Sequence, residues 1–157
     1  LASGPDLYPE ALRADIESLN DAIYATFNNG VYRAGFATTQ LAYDEAFADV
    51  FATLDALELR LSDGRAYLHG STFTETDIRA FVTLARFDAA YHGLFKCNLR
   101  QLADYPQLSA YLARVYRLPG IADTVSIDHI KRGYYSITAL NPNGIVPLGP
   151  KLDWLTP

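Results

Sequence analysis

Apolar residues recur every three or four positions along most of this chain. Leu12, Ile16, Leu19, Ile23 and Phe27 form one such row, and Tyr43, Phe47, Val50, Leu54, Leu57 and Leu61 form a second. That spacing puts the side chains on one face of an α-helix, whereas a half-buried strand alternates every second residue. No alternating stretch is long enough to propose a sheet. The expected fold is therefore all-α, a helical bundle.

Turn residues divide the pattern into five main helices. The first covers about residues 9–28, opening on Pro9 in the first turn, where proline is tolerated, and ending before Gly30. The second covers about residues 39–61 and stops at the turn cluster Ser62-Asp63-Gly64. The third has the clearest start signal. Thr74 caps, Asp77 three residues on reaches back to the Thr74 amide, and Phe73 and Ile78 are placed to clamp as a hydrophobic staple. Downstream, Ile78, Phe81, Val82, Leu84, Ala85, Phe87, Ala89 and Ala90 cover nearly every face, which predicts a buried, central helix. A fourth covers about residues 105–117. Pro119-Gly120 closes it, and Pro119 is expected to open the fifth, reaching about Arg132. Beyond Ser136, prolines and glycines rule out a further long helix. Ile145, Val146, Leu148, Leu152 and Trp154 predict an irregular tail laid over the bundle.

With 157 residues the chain has the size of one domain and can bury a real core. Half of it is apolar and a fifth charged, which is globular composition. A formal charge of -5 offers no basic footprint for nucleic acid. No apolar run approaches the length of a membrane span. The leading residues 1–6 lack the layout of a signal peptide. The single cysteine, Cys97, has no internal disulfide partner, which fits a reducing, cytoplasmic setting. Beside Lys96 it could be an activated thiol, but a small buried residue is the commoner situation and the one expected here. His69, His92 and His129 share no ligand spacing, so no metal site is expected. Nucleotide loops are likewise missing. The chain has no methionine, so Leu1 reads as a processed terminus or the cut end of a longer protein.

What remains is aromatic. Between the first two helices, Asn28-Asn29-Gly30-Val31-Tyr32-Arg33-Ala34-Gly35-Phe36 reads as a glycine-framed connector, yet it contains a tyrosine and a phenylalanine. A connector that only turns favours Gly, Ser, Asn and Asp. Of the eleven tyrosines, Tyr32 in that connector, Tyr91 past the third helix and Tyr134-Tyr135 after the last helix sit where a bundle builds a pocket mouth. A phenol stays protonated at neutral pH, so it can donate to an aromatic oxygen while its ring packs on the ligand. For any one of them an amphipathic rim residue with a solvated hydroxyl is the commoner situation; for the set, convergence decides.

Several blocks carry a resemblance. Residues 29–37 (Asn-Gly-Val-Tyr-Arg-Ala-Gly-Phe-Ala), the Thr74 to Arg79 capping segment, Arg86-Phe87-Asp88, Phe95-Lys96-Cys97-Asn98, Asp104-Tyr105-Pro106, Pro119-Gly120-Ile121, His129-Ile130-Lys131 with the tyrosine pair, and Asn141-Pro142 resemble the C-terminal half of xi-class glutathione transferases, the glutathionyl-hydroquinone reductases. The resemblance implies that residues 1–157 are one helical glutathione transferase C-terminal-like domain. It implies an N-terminal thioredoxin-like domain, absent from this chain, that binds most of the glutathione and holds the catalytic cysteine; Cys97 does not match that residue. In the family a thiolate attacks the sulfur of a glutathionylated hydroquinone, hydroquinone leaves, and a second glutathione resolves the mixed disulfide. The helical domain supplies the aromatic pocket. By motif, Tyr32 and Tyr134 are the hydrogen-bond donors to the substrate oxygens, with Tyr91 a third lining residue. Glutathione, a quinone or hydroquinone conjugate, the thioredoxin-like domain and a second copy in a homodimer are the implied ligands and partners. The family commonly has a histidine before the tyrosine pair, where this chain has Gly133. The other expectation open at this stage is a non-catalytic glutathione-transferase-like interaction module.

Overall fold

The computed structural model describes residues 4–155. Leu1 and the rest of residues 1–3, on which the readings of the terminus and of the leading segment partly rest, lie outside the described residues. Among the described residues six α-helices form the bundle: α1 (Arg13–Ile23), α2 (Gly30–Gly35), α3 (Gln40–Leu61), α4 (Glu75–Arg86), α5 (Pro106–Tyr116) and α6 (Ile127–Tyr135). Five are the main helices and α2 is a short sixth. The described residues contain isolated bridges around residues 67–72 but no strand. Two π turns, Tyr24–Asn28 and Phe87–Tyr91, extend α1 and α4.

α2 packs along α3, α1 against α4, and α3 against α5, while α6 lies on the π turn 87–91. The core between them is built from Phe27, Val31, Val50, Phe51, Leu54, Leu84 and Phe87, all buried. Phe87 meets Phe51 edge to face and Phe27 at a tilt, each at 6.1 Å between ring centres. Each such side chain contributes roughly 1.5–3 kcal/mol of burial. The tail is laid down only in part: Leu152 and Trp154 are buried and Trp154 meets Tyr116 edge to face, whereas Ile145 and Leu148 are exposed. The Lys131 ammonium on α6 donates to the carbonyls of Leu148 at 2.8 Å and Gly149 at 2.9 Å, tying the tail down.

Three expectations change. The segment between the first two helices is itself helical, not a glycine-framed connector. Gly30 and Gly35 belong to α2, and neither has a positive φ. A Cβ at Gly30 would sit 3.1 Å from Val50, and one at Gly35 only 2.3 Å from the Phe95 ring. These glycines allow close approach, which sequence spacing cannot separate from a break. Second, α4 is not buried on every face: Ile78 and Val82, one turn apart, are 38% and 41% exposed. Third, Pro119 does not open the last helix. Gly120 has φ +82°, a conformation no helix runs through, and α6 starts only after Ser126, whose hydroxyl accepts from the His129 amide. Tyr134 and Tyr135 therefore lie in the last turn of α6 instead of after it.

The start of α4 forms as read. The fully buried Asp77 carboxylate accepts from the Thr74 amide at 2.8 Å and the Thr74 hydroxyl at 3.2 Å. It also accepts from the Leu68 amide and the Tyr111 hydroxyl, both at 2.9 Å. Thr74→Ala removes one cap and is expected to cost about 1 kcal/mol. Asp77→Ala strands several buried donors and is expected to cost roughly 3 kcal/mol or more. Urea melts of both variants check the order; equal losses would contradict it.

A second buried acid, Asp88, accepts from the Leu102 amide at 3.1 Å. Burial pushes its carboxyl up to about 6, opposed by that amide and helped by Asp104. The folded value lies above the ordinary carboxylate value, so its stabilising contribution is complete below about pH 4 and lost as pH rises through about 6. Stability of the parent relative to Asp88→Asn is expected to fall by roughly 2–3 kcal/mol between pH 4 and 7. Urea melts across that range measure it, and a pH-independent difference would contradict it.

Candidate functional site

The tyrosines singled out in the sequence converge. Tyr32 comes from α2, Tyr91 from the π turn after α4, and Tyr134 from the end of α6. The Tyr32 and Tyr134 hydroxyl oxygens are 2.5 Å apart, and those of Tyr134 and Tyr91 are 2.7 Å apart. Their rings pack with Phe95 as a single aromatic cluster: Tyr91 stacks on Phe95 at 5.2 Å, while Tyr32 and Tyr134 meet Phe95 edge to face.

Local features of the chain place each phenol. In α2, the contact between Gly35 and Phe95 seats Tyr32 against the cluster. The extra residue of the π turn, closed by the His92 amide on the Phe87 carbonyl, carries Tyr91 into the interior. Phe95 is held by an unusual neighbour: Lys96 has φ +61°, and its carbonyl accepts from the Tyr43 hydroxyl at 2.7 Å. Gly133 continues α6, and a Cβ there would meet open space, so the helix carries Tyr134 to the cluster without a side chain at that position.

The three phenols are unequally exposed. Tyr32 is 40% exposed, Tyr134 is half-buried and Tyr91 is 2% exposed. A groove of about 470 Å³ opens beside them, lined also by Tyr24, Asn28, Arg79, Thr83 and Arg86. Burial, chiefly, pushes the Tyr134 phenol up to about 12, with the Arg86 charge acting in the opposite sense. Burial pushes Tyr91 well above its ordinary value, reinforced by its hydrogen bond to Tyr134. Both are protonated donors throughout the neutral range.

Sequence reasoning missed the opposite wall. Arg79, Val82, Thr83 and Arg86 recur at helical spacing on one face of α4, a signal present in the sequence but outweighed by the apolar residues between them. Asn28, in the other π turn, donates to the Arg79 carbonyl at 2.9 Å and to Thr83 Oγ1 at 2.6 Å, fixing α1 to that wall. With its phenol donors, aromatic faces and arginines, the groove suits a flat aromatic molecule bearing oxygens that gain negative charge.

The remaining candidates lie elsewhere. Cys97 is fully buried, and burial pushes its thiol up to about 12. His69 pairs with Thr76 at 3.0 Å, and no metal-holding group of His, Cys, Asp and Glu occurs among the described residues. No helix among them is long and apolar enough to cross a membrane.

The glutathione S-transferase C-terminal domain family matches residues 40–114. The chain is 53% identical over 92% of its length to the glutathionyl-hydroquinone reductase PcpF of Sphingobium chlorophenolicum, and covers 46% of that protein. It is 50% identical over 97% of its length to the glutathionyl-hydroquinone reductase YqjG of Escherichia coli, again covering 46%. The glutathione-bound structure of YqjG superposes with a TM-score of 0.96 at 48% identity, over 100% of this chain and 51% of that one. The xi glutathione S-transferase of Phanerochaete chrysosporium superposes with a TM-score of 0.93 at 47% identity, over 100% of this chain and 54% of that one. The chain thus spans about half the length of the relatives it matches.

A buried thiol with a raised pKa is unreactive. Cys97 is expected to resist a thiol-disulfide reagent at mildly alkaline pH in the folded protein and to react fully in denaturant. Rapid labelling without denaturant would contradict its placement.

Proposed function

Because this chain belongs to the glutathione S-transferase family, as a C-terminal domain of its xi class, we propose that it is the aromatic-substrate half of a glutathione-dependent reductase that removes glutathione from glutathionyl-hydroquinones. The observation that carries this reading is the meeting of Tyr32, Tyr91 and Tyr134 around one groove, with hydroxyls 2.5 and 2.7 Å apart.

The hydroquinone ring lies in the groove against the aromatic cluster. Tyr32 and Tyr134 donate to its oxygens. Once the sulfur-bearing ring carbon has taken a proton and the ring is in its keto form, breaking the carbon–sulfur bond sends the electron pair into the ring and onto the carbonyl oxygen, and the phenol protons meet the charge where it grows. Arg86, on the facing wall, adds a positive field at the same place. The attacking thiolate and most of the glutathione contacts come from a thioredoxin-like domain outside this chain. Glutathione that leaves the conjugate ends in a disulfide with a second glutathione.

That domain docks on the apolar side of α4. A second groove, of about 400 Å³, runs between α4, α5 and the start of α6 and is lined by Phe73, Ile78, Val82, Val115, Ile121 and Ile130. It joins the tyrosine groove at the exposed Val82 and at Arg86, which line both. A partner seated there lies against the substrate.

In the protein carrying both domains, Tyr32→Phe and Tyr134→Phe are each expected to lower kcat with a glutathionyl-hydroquinone by roughly tenfold to a hundredfold, the scale for loss of one donor to a developing oxyanion. The melting temperature of Tyr32→Phe should stay near the parent's, since ring packing is kept, whereas Tyr134→Phe takes the partner from the buried Tyr91 hydroxyl and is expected to cost about 1–3 kcal/mol without unfolding the protein. Unchanged kinetics in both variants would refute the assignment.

A further inference from the structure

Three hydroxyls in contact share three protons but form only two close oxygen pairs, so one proton is left over for something outside the cluster. Which oxygen holds it depends on the direction of each hydrogen bond, and burial fixes that direction. Tyr91 is 2% exposed, and its ring is enclosed by Phe87, Phe95, Tyr32 and Tyr134. Tyr91 touches the groove's lining, but it is nearly sealed from solvent and its hydroxyl lies 2.7 Å from that of Tyr134. Were Tyr91 to accept from Tyr134 there, its own proton would be left without a protein acceptor at a position almost closed to water, close to the buried unpaired donor that folded proteins avoid. Tyr91 therefore donates inside the cluster. Tyr134, having accepted, has one proton to give, and the Tyr32 oxygen is 2.5 Å away. Tyr32 is the exposed end, and its proton has only the groove to point into.

We infer that the hydroxyls form a one-way chain in which Tyr91 donates to Tyr134 and Tyr134 to Tyr32, so that the buried Tyr91 acts as a positioning residue that turns the two outer protons toward the groove. Resting on the proposed reading of the groove, the consequence is functional. When a ligand oxygen displaces Tyr32 from the Tyr134 proton, Tyr91 still occupies the Tyr134 oxygen from behind, and both outer protons face the ligand. A chain of donors also polarises its last member, making it a stronger donor than an isolated phenol.

The test reads direction without any substrate. With 3,5-difluorotyrosine at position 134, a more acidic phenol followed by fluorine NMR, the titration midpoint of that one group is measured in two backgrounds. Tyr91→Phe is expected to raise it, because an accepted bond that favours phenolate is lost. Tyr32→Phe is expected to lower it, because the phenol's own donated bond is lost. Shifts of about half a pH unit or more with opposite signs support the chain. Arg86, the charged group facing Tyr134, is common to both backgrounds and cannot produce opposite signs. Shifts of the same sign, reversed signs, or no shift in Tyr91→Phe overturn it. Should Tyr91→Phe fail to fold, Tyr32→Phe decides alone, a fall supporting the chain and a rise or no change overturning it. Failure here would leave the proposed substrate reading standing. Failure of that reading, seen as unchanged turnover in Tyr32→Phe and Tyr134→Phe, would leave this chain standing.

Discussion

The Asp77 carboxylate, sealed from solvent, holds three distant parts of the chain together. It closes the first turn of α4 through Thr74, fixes the loop at Leu68, and receives the Tyr111 hydroxyl from α5. Three neighbouring elements are placed relative to α4. α1 packs on it directly, α5 is tied to it by this carboxylate, and the π turn that extends it carries Phe87 into the core and Tyr91 into the aromatic cluster. The rest of the bundle can be read as what forms once that helix is anchored at its start. A charged side chain is suited to the task because each of its four hydrogen bonds would leave a buried donor unmatched if it were replaced.

From that anchor the geometry of the site follows in a few steps. The π turn at Phe87–Tyr91 carries Tyr91 inward, Phe95 stacks on it, and Gly35 lets α2 come close enough to set Tyr32 on the same ring. α6 closes the cluster by bringing Tyr134 across, and its Lys131 secures the tail that runs beyond it. Irregular backbone is concentrated at this place: both π turns and the left-handed Lys96 border the cluster or the groove. Features of that kind persist where surrounding packing over-determines them, and they commonly accompany functional sites.

Much of the fold was legible from residue spacing. The rows from Leu12 to Phe27 and from Tyr43 to Leu61 mark α1 with its π turn and α3, and Thr74 with Asp77 marks the start of α4, because helical periodicity and capping are local properties. What spacing could not show depends on distant partners. Gly30 and Gly35 look like breaks until Val50 and Phe95 are seen where their side chains would be. The exposed Ile78 and Val82 read as core because apolar composition does not say what covers a face. The site was legible in part: Tyr32, Tyr91 and Tyr134 were named from their positions, but their meeting depends on the packing of α2, the π turn and α6. Arg86 and Asn28 were missed because neither stands out from an ordinary helix surface in sequence.

The central claim is that an aromatic substrate is held by these phenols. It is tested most directly by titrating a hydroquinone thioether of glutathione, one that cannot be cleaved, into the protein labelled with carbon-13 at the tyrosine Cζ. The account predicts saturable shifts at Tyr32, Tyr134 and, through the hydrogen-bond chain, Tyr91, with Tyr105 and Tyr111 unmoved. Saturable shifts at other tyrosines with these three unchanged would contradict it.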